Sequence, residues 1–150
     1  MLVRLAKTEE EALLAHAILR ENVQMVGFVT RGNVVKKFQQ REVAVALSSK
    51  GAVLGCVCFH VRRDRVATIY EIAVSKNAPA RGVGSAMVVW LRRHLSAAGA
   101  IAIKLKCTED NIIANKFYGK VGFVRTNEER GKRRRLIVWR VELGGFLGRS

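Results

Sequence analysis

A chain of 150 residues with 49% hydrophobic content is long enough to bury one apolar core without disulfides or a structural metal. A single proline and no Ser-, Gln- or Pro-rich tract exclude a long disordered linker, no apolar run reaches a membrane span, and residues 1–7 lack a signal-peptide core, so the chain reads as cytoplasmic. The 27 Lys and Arg against 12 Asp and Glu, a formal charge of +15, call for an anionic partner such as RNA, DNA or the ribosome, bound by a monomer or homodimer.

Residues 2–6 form a short apolar strand. Thr8 followed by Glu9, Glu10 and Glu11 has capping-box spacing with acids in a first turn, which predicts a helix over residues 9–23. Its apolar positions, Leu13, Ala17 and Ile18 among them, recur at helical spacing and mark the core face, with His16 incidental beside it. Residues 25–33 carry Gly27 and Gly32 without a clean period and read as a loop, and 34–40 as a second short helix.

From Glu42 the pattern is that of strands, over 43–47, 53–62 and 66–74, joined by tight turns at 48–51 and 63–65 into a meander. Cys56 and Cys58 share one strand face in an apolar run, and with Cys107 they make an odd count without zinc spacing. They read as buried structural thiols, with no metal site. A glycine turn at 81–85 then leads into a helix over 86–98 with Met87, Leu91 and Leu95 on one face. Residues 100–107 alternate Ile101, Ile103 and Leu105 against Lys104 and Lys106, a strand, so the segment is a crossover between parallel strands. A helix over 112–121 and strands over 123–126 and 136–143, separated by a polar basic turn, complete the pattern. The fold class is α/β (α+β): one domain over 1–143 with a mixed, mostly antiparallel sheet of about six to seven strands flanked by about four helices, and a tail over 144–150.

Where a strand ends and a helix begins, unpaired N–H groups and the helix dipole favour an anion. Gly82 and Gly84 leave room for close approach, Val83 contributes backbone, Arg81 a full charge and Ser85 a hydroxyl. A third glycine is missing at Met87 and no Gly-Lys-Ser/Thr follows, which disfavours a dinucleotide or a nucleoside triphosphate. Taken alone, the turn is either an anion site or a simple chain reversal.

Further along stand Asp110-Asn111, then Ala114, Phe117-Tyr118 and Gly122-Phe123, and upstream Ile72-Ala73-Val74 precedes Arg81-Gly82-Val83-Gly84. With these two motifs in this order, the chain resembles the GNAT family of acetyl-CoA-dependent N-acetyltransferases. The resemblance spans residues 2–143 in element order and is specific over 69–123. It implies acetyl-CoA as cofactor, its pyrophosphate on residues 81–85, and cofactor contacts from Ile72, Ala73, Val74, Asn111 and Phe117. One departure is Pro79, where the family usually has Gln or Arg; its effect would be a weaker cofactor affinity.

The resemblance further implies a thioester carbonyl polarised by a backbone N–H near residues 72–74. Attack by a neutral amine expels a thiolate, for which Tyr118 is the general acid; the competing reading of Tyr118 is a core aromatic. Glu71, a carboxylate in an apolar strand, is the candidate base, against a structural ion pair with an arginine. His60 is a weaker candidate, and water-mediated deprotonation with no dedicated base is the third reading. Some ribosomal-protein acetyltransferases of this family carry a glutamate five residues before the motif asparagine; here Lys106 stands there, so their mechanism does not transfer.

The resemblance also implies that acceptor specificity comes from the segments near 25–35 and 127–135. The second holds Arg130, Lys132, Arg133 and Arg134, the candidate substrate-binding cations, which would repel a polycation and attract a nucleic-acid-associated acceptor: an aminoacyl-tRNA, a modified base or a ribosomal protein. The alternative is a non-catalytic nucleic-acid-binding module on the same scaffold.

Overall fold

The computed structural model describes residues 1–78 and 82–143. The expectations for Pro79, Arg81 and the tail 144–150 fall outside the described residues.

In chain order the elements are β1 (Leu2–Leu5), α1 (Glu9–Glu21), α2 (Val23–Val26), α3 (Arg31–Gln39), β2 (Val43–Leu47), β3 (Val53–Val61), β4 (Val66–Val74), α4 (Val83–Ala97), β5 (Ala102–Thr108), α5 (Ile112–Lys120), β6 (Val124–Arg130) and β7 (Arg135–Glu142). The strands follow the order β1-β2-β3-β4-β5-β7-β6. The β4–β5 pair is parallel, and β1–β2, β2–β3, β5–β7 and β6–β7 are antiparallel. This is the mixed α+β architecture expected, with five helices among the described residues instead of about four. The chain divides into two compact units, one of Met1–His60 with Tyr70–Leu91, the other of Val61–Ile69 with residues from Arg92 onward.

In the first unit the Thr8 hydroxyl accepts the Glu11 N–H at 3.1 Å and caps α1. The Glu11 carboxylate accepts the Lys7 N–H at 2.8 Å and two bonds from Arg4, at 2.9 and 2.7 Å, tying β1 to α1. The face of α1 that is buried holds Ala12, Ala15, Ile18 and Leu19, whereas Leu13 is 38% exposed and Ala17 is exposed, contrary to the expected core face. A helix this rich in Ala and Leu is apolar on several sides, and close packing selects the small side chains: Cys56 Sγ reaches Ala15 O at 3.6 Å. The helix stops at Glu21, earlier than expected, because Asn22 turns its side-chain amide back onto Ile18 O at 2.8 Å.

The single turn α2 begins before the stretch 25–33 read as a loop and ends inside it, and α3 starts three residues earlier than expected because Thr30 Oγ1 accepts the Asn33 N–H at 3.1 Å. His16 is not incidental: its Nε2–H donates to Val29 O at 2.9 Å and pins the segment between α2 and α3. The core joins Val34 of α3 to Val43, Val45 and Leu47 of β2, Cys56 and Cys58 of β3 and Ala73 of β4. All three cysteines are free and buried, as expected of structural thiols.

In the second unit, Val66–Thr68 pair with Ala102–Lys104, and β5 runs antiparallel to β7 from Ala102 opposite Glu142 to Thr108 opposite Leu136. The β6 strand extends to Arg130, beyond the expected end at Thr126, so the basic turn shrinks to residues 131–134, closed by Gly131 N–H to Arg134 O at 2.9 Å. The strand lies at the sheet edge and is almost wholly exposed, so both faces can be polar and no apolar alternation announces it.

Candidate functional site

The C-terminal end of β4 and the first turn of α4 are built together in the first unit. Gly82 has φ +83°, a conformation side-chain-bearing residues rarely adopt, and its carbonyl accepts the Ala86 N–H at 2.9 Å. The helix therefore begins at Val83, not at Ala86 as expected. The N–H groups of Val83, Gly84 and Ser85 belong to a first helical turn, outside the helix's own hydrogen-bond ladder, where anions are favoured. The Val83 side chain is buried, so its contribution to a ligand is its backbone.

Gly55 on β3 makes this close construction possible. A Cβ there would lie 3.0 Å from both Ala73 O and Met87 Cε and 3.1 Å from Val83 Cγ1. Any side chain at residue 55 would push the start of α4 away from the end of β4. No sequence motif marks Gly55, because its requirement appears only with its neighbours in place. Asn22 was missed for the same reason: its side-chain amide donates to Val74 O at 3.2 Å, while Glu21 Oε1 accepts the Lys76 N–H at 3.1 Å. Both fix the strand end that carries Ile72, Ala73 and Val74.

On the same strand, Glu71 is half-buried and its Oε2 is buried without a hydrogen-bond partner. Burial pushes its carboxyl above the usual range, and the Lys37 cation on α3 opposes that shift without cancelling it. The arginine ion pair considered for Glu71 does not occur among the described residues. His60 is exposed and paired with Glu42, a surface arrangement unlike that of Glu71.

In the second unit, Asn111 caps α5: its Oδ1 accepts the Ala114 N–H at 3.2 Å. Asn115 locks the same helix end to the sheet, donating to Thr108 O and Asn111 O, both at 2.9 Å, and accepting Trp139 Nε1–H at 2.8 Å. These bonds place Tyr118 against Phe117, Phe123 and Trp139, with ring centroids 5.4, 5.9 and 6.5 Å away. Burial, with a smaller effect of Cys107, raises the Tyr118 phenol, which stays protonated at neutral pH as a proton donor must. Phe117 is half-buried beside it.

The basic turn borders an open pocket of about 430 Å³ lined by Thr108, Gly131, Lys132, Arg133, Arg134 and Leu136. Arg134 pairs with Asp110 at 3.1 Å. Arg130, at the end of β6 opposite Arg135, is exposed, as are Lys132 and Arg133; none of these three forms an ion pair among the described residues. No group of three His, Cys, Asp or Glu residues suited to a metal occurs among the described residues, and no helix there is long and apolar enough to cross a membrane.

Residues 27–123 match the family model described as the acetyltransferase (GNAT) family. Glucosamine 6-phosphate N-acetyltransferase 1 of Oryza sativa subsp. japonica is 33% identical over 85 residues, 57% of this chain and 50% of that protein, so the match spans about half the length of this curated relative. Among solved structures, Ard1 from Thermoplasma volcanium aligns with a TM-score of 0.81 at 18% identity, covering 95% of this chain and 97% of that one. Ribosomal-protein-alanine N-acetyltransferase from Brucella melitensis gives 0.79 at 18%, covering 95% and 100%. The yncA protein of Salmonella typhimurium, solved with its cofactor acetyl-CoA, gives 0.79 at 16%, covering 95% and 94%. At such identities the structural likeness is one of fold.

Proposed function

Because this chain belongs to the acetyltransferase (GNAT) family, we propose that it is an acetyl-CoA-dependent N-acetyltransferase acting on an amine of a nucleic-acid-associated acceptor, an aminoacyl-tRNA, a modified base or a ribosomal protein. Residues 1–143 are read as one acetyltransferase domain. The observation that carries the catalytic reading is Glu71, a carboxylate with a buried, unpartnered oxygen and a raised affinity for protons, on the strand that ends at the α4 helix start.

Acetyl-CoA supplies an activated acyl thioester. The N–H groups of Val83, Gly84 and Ser85 hold its pyrophosphate, with Arg81 adding charge. The backbone of Ile72, Ala73 and Val74, held by Asn22, orients the acyl end, and the first turn fits that task because Gly55 and Gly82 let it form there. Asn111 and Phe117 complete the cofactor contacts; with Asn111 Oδ1 committed to its own helix, its contact falls to Nδ2. Glu71 takes the proton from the attacking amine as the C–N bond forms. Tyr118 gives its phenolic proton to the departing sulfur as the C–S bond breaks.

Arg130, Lys132, Arg133 and Arg134 are read as the acceptor-side cations. The net charge supports an anionic acceptor, and the names of the Brucella and rice proteins fit acceptors of the ribosomal and phosphorylated kinds. Isotope-labelled acetyl-CoA incubated with RNA, DNA and protein fractions of a cell extract should label one fraction. Saturating acetyl-CoA should also raise the melting temperature. Tyr118→Phe should lower kcat on the order of 100-fold while leaving that thermal shift unchanged. Absence of a shift in the unaltered protein removes the cofactor assignment; a shift without label in any fraction leaves the non-catalytic binding module.

A further inference from the structure

We propose that the open pocket at the β6–β7 turn is a phosphodiester site that docks a nucleic-acid backbone through Lys132, Arg133 and Arg134, the phosphate displacing Asp110 from Arg134. The inference rests on the acceptor-side reading of this turn and gives it a ligand chemistry.

The excess charge is unevenly distributed. Residues 61–69 and 92–143 contain 16 Lys and Arg against 6 Asp and Glu, whereas residues 1–60 and 70–91 contain 10 against 6. Within the richer part, the pocket gathers three consecutive cations and the Thr108 hydroxyl around the apolar Leu136. Lys132 and Arg133 are exposed and form no ion pair among the described residues. The Arg134–Asp110 pair is itself exposed, with side chains 63% and 59% accessible, so it is weakly held and can be exchanged for a stronger anion. An arginine fork takes two oxygens of a phosphate in the same bidentate way as two of a carboxylate, and the Thr108 hydroxyl is a further donor beside it.

The pocket's open form selects among phosphate-bearing ligands. A small metabolite gains affinity by being mostly enclosed, which an open pocket cannot provide. A polyanionic strand gains it by releasing counterions along a cationic surface, for which an open site suffices. Lys132, Arg133, Arg134 and Thr108 suit phosphates rather than base edges, so recognition is largely independent of sequence.

Fluorescence anisotropy with labelled short single-stranded RNA and DNA oligonucleotides, titrated at several salt concentrations, tests this. Lys132→Ala/Arg133→Ala should weaken binding about tenfold at low salt and flatten the slope of log K against log salt by about 1.4, two phosphate contacts' worth. Asp110→Asn should tighten binding a few fold. Arg62→Ala/Arg63→Ala removes the same charge from the β3–β4 turn and should change affinity less than about twofold. Equal losses in the two double variants would reduce the effect to net charge and overturn the site. Competition by glucosamine 6-phosphate or polyglutamate as effective as the unlabelled oligonucleotide would also overturn it, in favour of a small phosphate or an acidic protein segment. The acetyl-CoA thermal shift, measured on the same variants, should persist in all of them; its absence from the unaltered protein would sink the cofactor reading while leaving the oligonucleotide result to stand or fall alone.

Discussion

Glu71 and Glu11 are both carboxylates near a cation, yet their surroundings shift them in opposite directions. Glu11 accepts two hydrogen bonds from Arg4, which lower its carboxyl to about 2. Its contribution to stability is present above the ordinary carboxylate value and is lost as pH falls through the lowered one. Glu71 lacks such donors, and burial raises it. A raised carboxyl means that the folded state binds its proton more tightly than the unfolded chain does, so stability falls as pH rises from the ordinary carboxylate value through the raised one. Glu71→Gln removes that cost while keeping the shape. The variant should melt higher than the unaltered protein at neutral pH, and the gain should disappear by about pH 4, near the ordinary carboxylate value. Acetyl transfer should fall at the same time, and at saturating acetyl-CoA the acidic limb of the pH–kcat profile should vanish. A variant with the wild-type melting temperature at neutral pH and unchanged kcat would show Glu71 to be neither strained nor catalytic.

At the scale of elements, the hydrogen-bonding side chains at helix ends determine which reading of Asn111 survives. As a cap it satisfies one α5 donor, and Asn111→Ala should cost about 1 kcal/mol in stability. If it also holds the cofactor through Nδ2, the same substitution should weaken the acetyl-CoA response, whereas Asn111→Asp should restore the cap without restoring that response. Stability lost with an unchanged acetyl-CoA midpoint would make Asn111 a cap alone. The limits of β2 and β4 were readable as apolar runs between turn residues, and Met87, Leu91 and Leu95 were readable as the buried face of α4. The polar edge strand β6 was not, because its side chains answer to solvent on both faces. The start of α3 was obscured by Gly32 following the Thr30 cap, and the roles of Gly55 and Asn22 depend on partners distant in the chain. Glu71 stood out in the sequence as a carboxylate in an apolar strand, and Tyr118 was singled out by the resemblance; what holds the β4 end in place required the fold.

The charge of the whole molecule also acts on its own stability. A formal charge of +15 on 150 residues sets like charges against one another, most densely over 61–69 and 92–143. Ion pairs compensate little: Lys106–Glu129, Arg125–Glu128, Arg135–Glu128 and Arg140–Glu142 are largely exposed pairs, of little net worth in water. Salt weakens both terms, but repulsion sums over many charges while each exposed pair is local and already screened by water. Raising sodium chloride from low concentration to about 0.3 M should therefore raise the melting temperature, by about 2–4 °C for each kcal/mol of repulsion relieved. Pyrophosphate at matched ionic strength should raise it further, since the anion site proposed at the α4 start binds it in the folded state. The added increment should be retained in Lys132→Ala/Arg133→Ala, because the open β6–β7 turn favours a polyanionic strand over a small phosphate. A melting temperature that falls as sodium chloride is added would show that the ion pairs outweigh the repulsion and that the excess charge is locally compensated.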